Sequence, residues 1–500
     1  PRTALHPRRR ATHHAAPATV QTTPEPLLAH VTPAADHHAL RGNMFPVSHE
    51  IGPVGCEVIG ELPAALRGSF VRNGPNQMFE PIGAHHIFDG DGMLHGVEFN
   101  NGKATYRNRW IHSRGLDAEI ALGRAVYPGL SELMNFPDEA LIGDAGPIKN
   151  RANTHIIRHA GRMLALWEQG LPTEVTADFE TVGEWDFAGK LQGAMTAHPK
   201  LDPRTGEMFS FSYNLFPPYL TYYVVDAGGA LVHRVDLDLP APIMMHDFVI
   251  TEDHAVFMDS PVTFNMEGVA TGESMVKWAP ENGTRLGVLP RLGTAEDIRW
   301  FEVEPSHIQH FWNAWVEGNR IELSGCRYPE VDFGFPPPDA DDDGGIETIG
   351  APPARYWIHL DAGTDGWETI YRHTIREICR VNDDRTGVRT DCLYMSAFTR
   401  EGAIGGDFDS IVKYDTAKDT RSSWYAGDTG HVGENVFAPA PTGSAEEDGW
   451  IMNSMHDDAD GGQSSIVVLD ARDIEAGPVA QVLIPQRMPF GFHANWFPAG

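Results

Sequence analysis

The residue type in greatest supply for chemistry is histidine, with 24 in a chain of 500 residues. An imidazole set among apolar neighbours must find a hydrogen-bond partner or a metal, because an unmatched polar ring is costly to bury. Four histidines meet that description: His198 in TAHPK, His246 in MMHDF, His310 in HFWNA and His493 in GFHANW. Their separations of 48, 64 and 183 residues are far too long for a zinc-finger pair or an HExxH helix. A site made from them has to be assembled by tertiary structure, and spacing alone leaves ordinary structural histidines as the other reading. His6, His13, His14, His37 and His38 lie in Pro-, Ala- and Thr-rich sequence that offers no core and read as solvated.

Other chemistry is weaker. His359-x-Asp361 and His456-x-Asp458 carry the local spacing of a two-histidine, one-carboxylate iron triad, but a chain rich in Asp and His produces such pairs by chance. DGDGM at 89–93 lacks the spacing and terminal glutamate of a calcium loop and reads as a turn with structural carboxylates, and GDTG at 427–430 needs no phosphate. The chain has no GxSxG elbow, HExxH, P-loop, CxxCH or GxGxxG opening a helix, so it offers no visible hydrolase centre and no route for reducing equivalents.

The elements that must position the histidines are mostly strands. Short β-branched and aromatic stretches at 221–225, 231–236, 320–324, 411–415 and 464–469 alternate with Gly, Pro, Asn and Asp clusters from about Gly52 onward. Helical periodicity is confined to 116–143, where Pro128 and Pro137 interrupt it. So many strands in one open sheet would leave edges to protect, and radial repetition removes them, which predicts an all-β chain folded as a β-propeller. In that fold the innermost strands face one axis, where histidines from distant blades can converge. No WD or Kelch period is present to mark the blades.

Bulk properties set further bounds. Thirty-eight basic and 69 acidic side chains give a net charge of −31, which repels nucleic acid and anionic membrane. Cys56, Cys326, Cys379 and Cys392 form no CxxC pair and read as reduced thiols of a cytoplasmic protein. No apolar run is long enough to span a bilayer, which leaves peripheral membrane contact open. The first 24 residues carry four arginines and no carboxylate but lack the apolar core of a signal peptide, so residues 1–45 are expected to be a disordered tail and 46–500 one domain. The stretch FPPPDADDDGG at 335–345 reads as a solvated acidic loop.

From Gly52 to Gly500 the sequence resembles the carotenoid cleavage oxygenases, a family that includes apocarotenoid- and stilbene-cleaving enzymes. The ordered matches include GSFVRNGPN at 68–76, KNRANTHIIRHAGRMLALWEQGLP at 149–172 and AHPKLDPRTGEM at 197–208. HDFVITEDHAVFMD at 246–259, HFWNA at 310–314, EICRVN at 377–382, GENVFAP at 433–439 and IPQRMPFGFHANW at 484–496 continue the series. The resemblance implies a seven-bladed propeller with Fe(II) on its axis and a loop and helical cap enclosing a hydrophobic substrate tunnel. It assigns His198, His246, His310 and His493 as iron ligands and Glu168, Glu377 and Glu434 as the carboxylates that orient them. It places Thr154 beside an open coordination position and Trp167 and Met244 along the tunnel; His307, three residues before His310, lacks the HxxNA context.

The implied reaction is oxidative scission of a conjugated C=C bond by O2 into two carbonyl compounds. It needs a hydrophobic small molecule and no evident protein partner. A carotenoid or apocarotenoid is the expected substrate. A stilbenoid or vinyl phenol is the alternative within the family, and a catalytically silent retinoid- or carotenoid-binding propeller the alternative outside catalysis. Stilbene-cleaving relatives hold the phenol with a tyrosine and a lysine, for which Tyr106 and Lys149 are available in the sequence. Two departures leave the ligands untouched: Gln309 stands where an aromatic is frequent, which bears on the tunnel's shape, and Ile378-Cys379 stands where Phe-Pro is common.

Overall fold

The computed structural model describes residues 28–34, 37–132, 134–269, 274–331, 351–370, 376–399 and 408–499. Seven antiparallel sheets of four or five strands form the blades of a β-propeller, with a small ribbon of Val262–Phe264 and Val276–Trp278 attached. The five stretches read as strands from their β-branched content all lie in strands, within Leu220–Val225, Leu231–Leu237, Arg320–Tyr328, Ser410–Asp415 and Gln463–Asp470. Alternation along Leu231–Leu237, buried at Leu231, Val235 and Leu237 and exposed at Val232, Arg234 and Asp236, marks it as an outer strand with one wet face.

Each blade contributes one edge strand to the centre: His155–His159, Lys200–Leu201, Val249–Ile250, His307–Glu317, Arg376–Arg380, Gly430–Pro439 and Ala494–Pro498. The ring is closed twice. Ala494–Pro498 pairs with Gly68–Pro75, Phe70 opposite Trp496, and Glu57–Gly60 pairs with Pro478–Leu483, Val58 opposite Val482. Both chain ends are thereby sewn into sheets whose remaining strands come from the far end of the sequence.

Aromatic and aliphatic side chains fill the wedges between blades. Phe248 meets Phe211 at 5.2 Å edge-on and stacks on Phe257 at 5.6 Å, all three fully buried. Each such ring stabilises the wedge by about 1.5–3 kcal/mol relative to exposure. The helical stretch resolves into Arg114–Leu122, capped by Ser113 Oγ and ended by Gly123 in the left-handed region, and the one-turn Glu139–Ile142 capped by Asp138. Glu119 of the longer helix and Asp91 share the buried Lys149 ammonium, and Arg151 pairs with Asp89, which fastens the cap to the propeller. The DGDGM carboxylates therefore serve structure, as expected.

Residues 1–27 of the expected tail lie outside the described residues, but Leu28 and His30 bridge to His49 and Phe79, and Ala39 and Leu40 are buried, so packing begins ahead of position 46. The loop at 335–345 also lies outside the described residues. All four cysteines are free thiols.

Candidate metal centre

The four singled-out histidines arrive at the axis from four blades. His198 precedes Lys200–Leu201, His246 precedes Val249–Ile250, His310 sits within His307–Glu317 and His493 precedes Ala494–Pro498. Their ligand atoms all lie within 4.8 Å of one another, and among the described residues no other group of His, Cys, Asp or Glu converges in this way. The rings of His198 and His246 are 4.4 Å apart, and those of His198 and His493 4.6 Å.

Two carboxylates fix the proton positions. His246 Nδ1 donates to Glu168 Oε2 at 2.8 Å and His493 Nδ1 donates to Glu434 Oε1 at 3.0 Å. An ionised carboxylate only accepts, so both rings carry the proton on Nδ1 and turn the Nε2 lone pair to the common centre. There His246 Nε2 faces His310 Nε2 at 3.3 Å, and His198 Nε2 is buried with no hydrogen-bond partner. Desolvation by burial, reinforced by the neighbouring imidazoles, holds His198 well below the usual histidine range, so it stays neutral. Burial lowers His493 as well, with Glu434 opposing. Neutral nitrogen donors converging around an orphaned lone pair fit a divalent transition metal, for which imidazole is a suitable ligand.

Glu434 is the more tightly held carboxylate. Burial works against its ionisation, yet the guanidinium of Arg380 and His493 hold its carboxyl far below the ordinary carboxylate range. Oε1 pairs with Arg380 Nη1 at 3.2 Å and Oε2 accepts the Ala494 N–H at 2.7 Å. Glu168 is half-buried and shares its charge with the phenol of Tyr213, which burial and Glu168 push well above the usual tyrosine range. Glu377 lies in the strand Arg376–Arg380 opposite Ser396, and its side chain lies outside the described residues. The strand is bulged between Glu377 and Arg380, with Ile378 at φ +48°, a conformation uncommon for a β-branched residue and a means of re-aiming the side chains beside it.

Thr154 joins the site through its backbone, donating N–H to Leu166 and accepting the N–H of His493 at 3.1 Å, while its hydroxyl donates to Asn153 Oδ1. Trp167 is buried with the Arg151 guanidinium 5.5 Å from its ring centre, and Met244 is buried in the apolar cluster of Phe248 and Phe257. Neither lines the 610 Å³ cavity that opens among the innermost strands, whose walls include His155, His198, Lys200, Asp247, Arg380 and Glu434. His307 is a structural histidine, engaged by Ser260 Oγ at 2.9 Å and Gln309 Oε1 at 2.9 Å. The non-aromatic Gln309 thus serves that ring. Asp458 pairs with His456 and with His431, away from the centre.

Sequence reasoning left four positioning residues unassigned. Asp247 binds Lys200 and accepts the Phe311 N–H at 2.8 Å, tying the segment of His246 to that of His310. His155 Nδ1 donates to the carbonyl of Ala197 and its Nε2 accepts from Asn495, bracing the neighbours of His198 and His493; burial lowers it to about 3. Arg380 donates to Asn495 and Ala494 as well as to Glu434. Tyr213 belongs to no matched motif, whereas His155, Asp247 and Arg380 stand inside the matched segments of Glu168, His246 and Glu377, and that was the signal available.

Comparison with known proteins places this geometry. Residues 44–498 match the family model described as retinal pigment epithelial membrane protein. A carotenoid 9,10(9',10')-cleavage dioxygenase of Arabidopsis thaliana is 33% identical over 484 residues, covering 91% of this chain and 89% of the relative. Isoeugenol monooxygenase of Pseudomonas putida is 31% identical, covering 91% and 97%. The crystal structure of a Pseudomonas brassicacearum lignostilbene dioxygenase superposes with a TM-score of 0.85 at 30% identity, covering 93% of this chain and 99% of that one.

Proposed function

The chain belongs to the carotenoid cleavage oxygenase family of non-haem iron dioxygenases, and we propose that it uses Fe(II) and O2 to split a conjugated C=C bond of a carotenoid or apocarotenoid into two carbonyl compounds. The observation that carries the reading is the convergence of four histidines, two of them oriented by buried or half-buried carboxylates.

When bound, the iron supplies the redox chemistry by which ground-state O2 reacts with an alkene, and scission of one double bond into two carbonyls takes up both oxygen atoms without external electrons. The protein's task is then orientation and exclusion of water. His198, His246, His310 and His493 would hold the ion; Glu168 and Glu434 keep the protons on Nδ1 of His246 and His493, and Glu377 is the third orienting carboxylate on the resemblance alone. Thr154, anchored to His493 through its carbonyl, narrows the space beside the ion, while Trp167 and Met244, set back from the cavity, act on the tunnel only through the packing behind its wall.

The substrate preference rests on two residues that the structure occupies elsewhere. Lys149 is buried between Asp91 and Glu119, and Tyr106 is fully buried with its hydroxyl 2.8 Å from His95 Nδ1. Neither is available to hold a phenol, which favours an apolar polyene. The likeness to lignostilbene dioxygenase keeps a stilbenoid as the second reading. Among the described residues no helix is long and apolar enough to cross a membrane, and the exposed Met134, Phe136, Leu141 and Ile148 of the cap support peripheral contact with the membrane that stores such a substrate.

Purified protein reconstituted with Fe(II) is to be incubated in air with an apocarotenal and, separately, a hydroxystilbene. The expected result is loss of the polyene absorbance with two carbonyl fragments in equal amounts, over many turnovers, without NAD(P)H, flavin or 2-oxoglutarate. Turnover of the hydroxystilbene alone transfers the assignment to the second reading. Tight binding without product identifies a silent binder, and an obligatory co-substrate rejects the reaction.

A further inference from the structure

Arg72 is a buried cation with no counter-charge among the described residues. It lies in the strand Gly68–Pro75 opposite Ala494 and is 4% exposed. Its side chain enters no ion pair or hydrogen bond among the described residues, and its Nε is a buried donor left unpartnered. Desolvation lowers its pKa only to about 10, so it is charged at neutral pH. Buried guanidinium groups are ordinarily paired, because an isolated charge in a low-dielectric surrounding is costly.

The surroundings are built to accommodate this group. Gly491 presents bare backbone to it: a Cβ there would come within 2.4 Å of Arg72 Nε and 2.6 Å of Cζ. The guanidinium lines a pocket of about 20 Å³ together with Asn43, Gly433, Ser454 and Gly491. Ser454 offers a hydroxyl donor to a guest in this pocket, and Asn43, whose Oδ1 is buried without a partner, lines it with an amide. The room suits one water-sized or halide-sized guest and is too small for phosphate or a carboxylate ligand.

We propose that this pocket binds a monatomic anion, chloride, as the counter-ion of Arg72. The site bears on the metal centre through its walls. Gly433 directly precedes Glu434, and Gly491 lies two residues before His493. Asn73, next to Arg72, donates its N–H to the His493 carbonyl at 3.0 Å and accepts that of Phe492 at 3.0 Å. An anion held between these segments ties the strand of Glu434 to the loop of His493, so its occupancy retards loss of the metal.

The test uses the iron-loaded protein in sodium chloride, sodium bromide or sodium gluconate at constant ionic strength. Expected are an unfolding midpoint that rises and saturates with chloride or bromide but not gluconate, and iron extraction by a chelator slowed about fivefold at saturation. Crystals soaked in bromide should show an anomalous peak within hydrogen-bond distance of Arg72, and R72M should lose the halide dependence of both measurements. Equal midpoints in chloride and gluconate with no bromide peak at Arg72 overturn the proposal. An R72M variant that still responds to chloride does the same. Should R72M not fold, the wild-type halide series and the bromide density decide. A bromide peak with an unchanged rate of iron loss overturns the coupling to His493.

Discussion

Replacing Glu434 by Gln tests the metal centre most sharply, because three donors converge on that carboxylate. His493 Nδ1, the Ala494 N–H and Arg380 Nη1 lie at 3.0, 2.7 and 3.2 Å from its oxygens. A glutamine offers one accepting oxygen and an NH2, so at least one donor meets another donor, and Arg380 keeps only Asp383 as a carboxylate partner. Losing one charge-assisted hydrogen bond costs about 1.5–3 kcal/mol, and a lost outer partner of a ligating histidine lowers metal affinity about 10–100-fold. The two figures agree, since a factor of ten is about 1.4 kcal/mol. Glu168→Gln is expected to be milder: its partners are His246 Nδ1 and the Tyr213 hydroxyl, and that hydroxyl can reverse to accept from the new NH2. Iron bound after equilibration against graded chelator, read by elemental analysis alongside circular dichroism, measures both variants. Both variants should fold, with affinity falling in the order wild type, E168Q, E434Q; wild-type affinity in E434Q, or the reverse order, refutes the role of these carboxylates.

H246A and H493A should fold yet lose stoichiometric iron and turnover, whereas H307A should keep iron because that ring is satisfied by Ser260 and Gln309; elemental analysis distinguishes the three. Lys149→Met leaves Asp91 and Glu119 buried and unpaired, and chemical denaturation should show a loss of about 3–5 kcal/mol. Asp202 turns on pH: burial raises its pKa, but Arg204 and Arg291 bring it down from 3.8 to about 2. A depressed folded pKa gives stability that is present above the unfolded value and lost as pH falls from about 4 to about 2. D202N should flatten that acid limb of the stability curve, and an unchanged limb would exclude Asp202 as its source.

The strands were legible because β-branched runs bounded by Gly, Pro and Asp carry their own local signal, and the four histidines were legible because each stands in a segment that resembles the family's over several residues. The number of blades came from resemblance and not from periodicity, since no blade repeats another in sequence. Tertiary structure alone decided the double closure of the ring, in which Glu57–Gly60 and Ala494–Pro498 meet partners from the opposite end of the chain. It decided that Lys149 and Tyr106, plausible as phenol ligands by type, are consumed by Asp91, Glu119 and His95. It supplied the reason for a distinction that the HxxNA context had already drawn between His307 and His310, giving the first ring two hydrogen-bond partners and placing the second among three other imidazoles. The physical reason is common to all of these: residue type and local spacing determine what a side chain can do, while the partner that uses it lies tens to hundreds of residues away and is chosen by the packing of the blades.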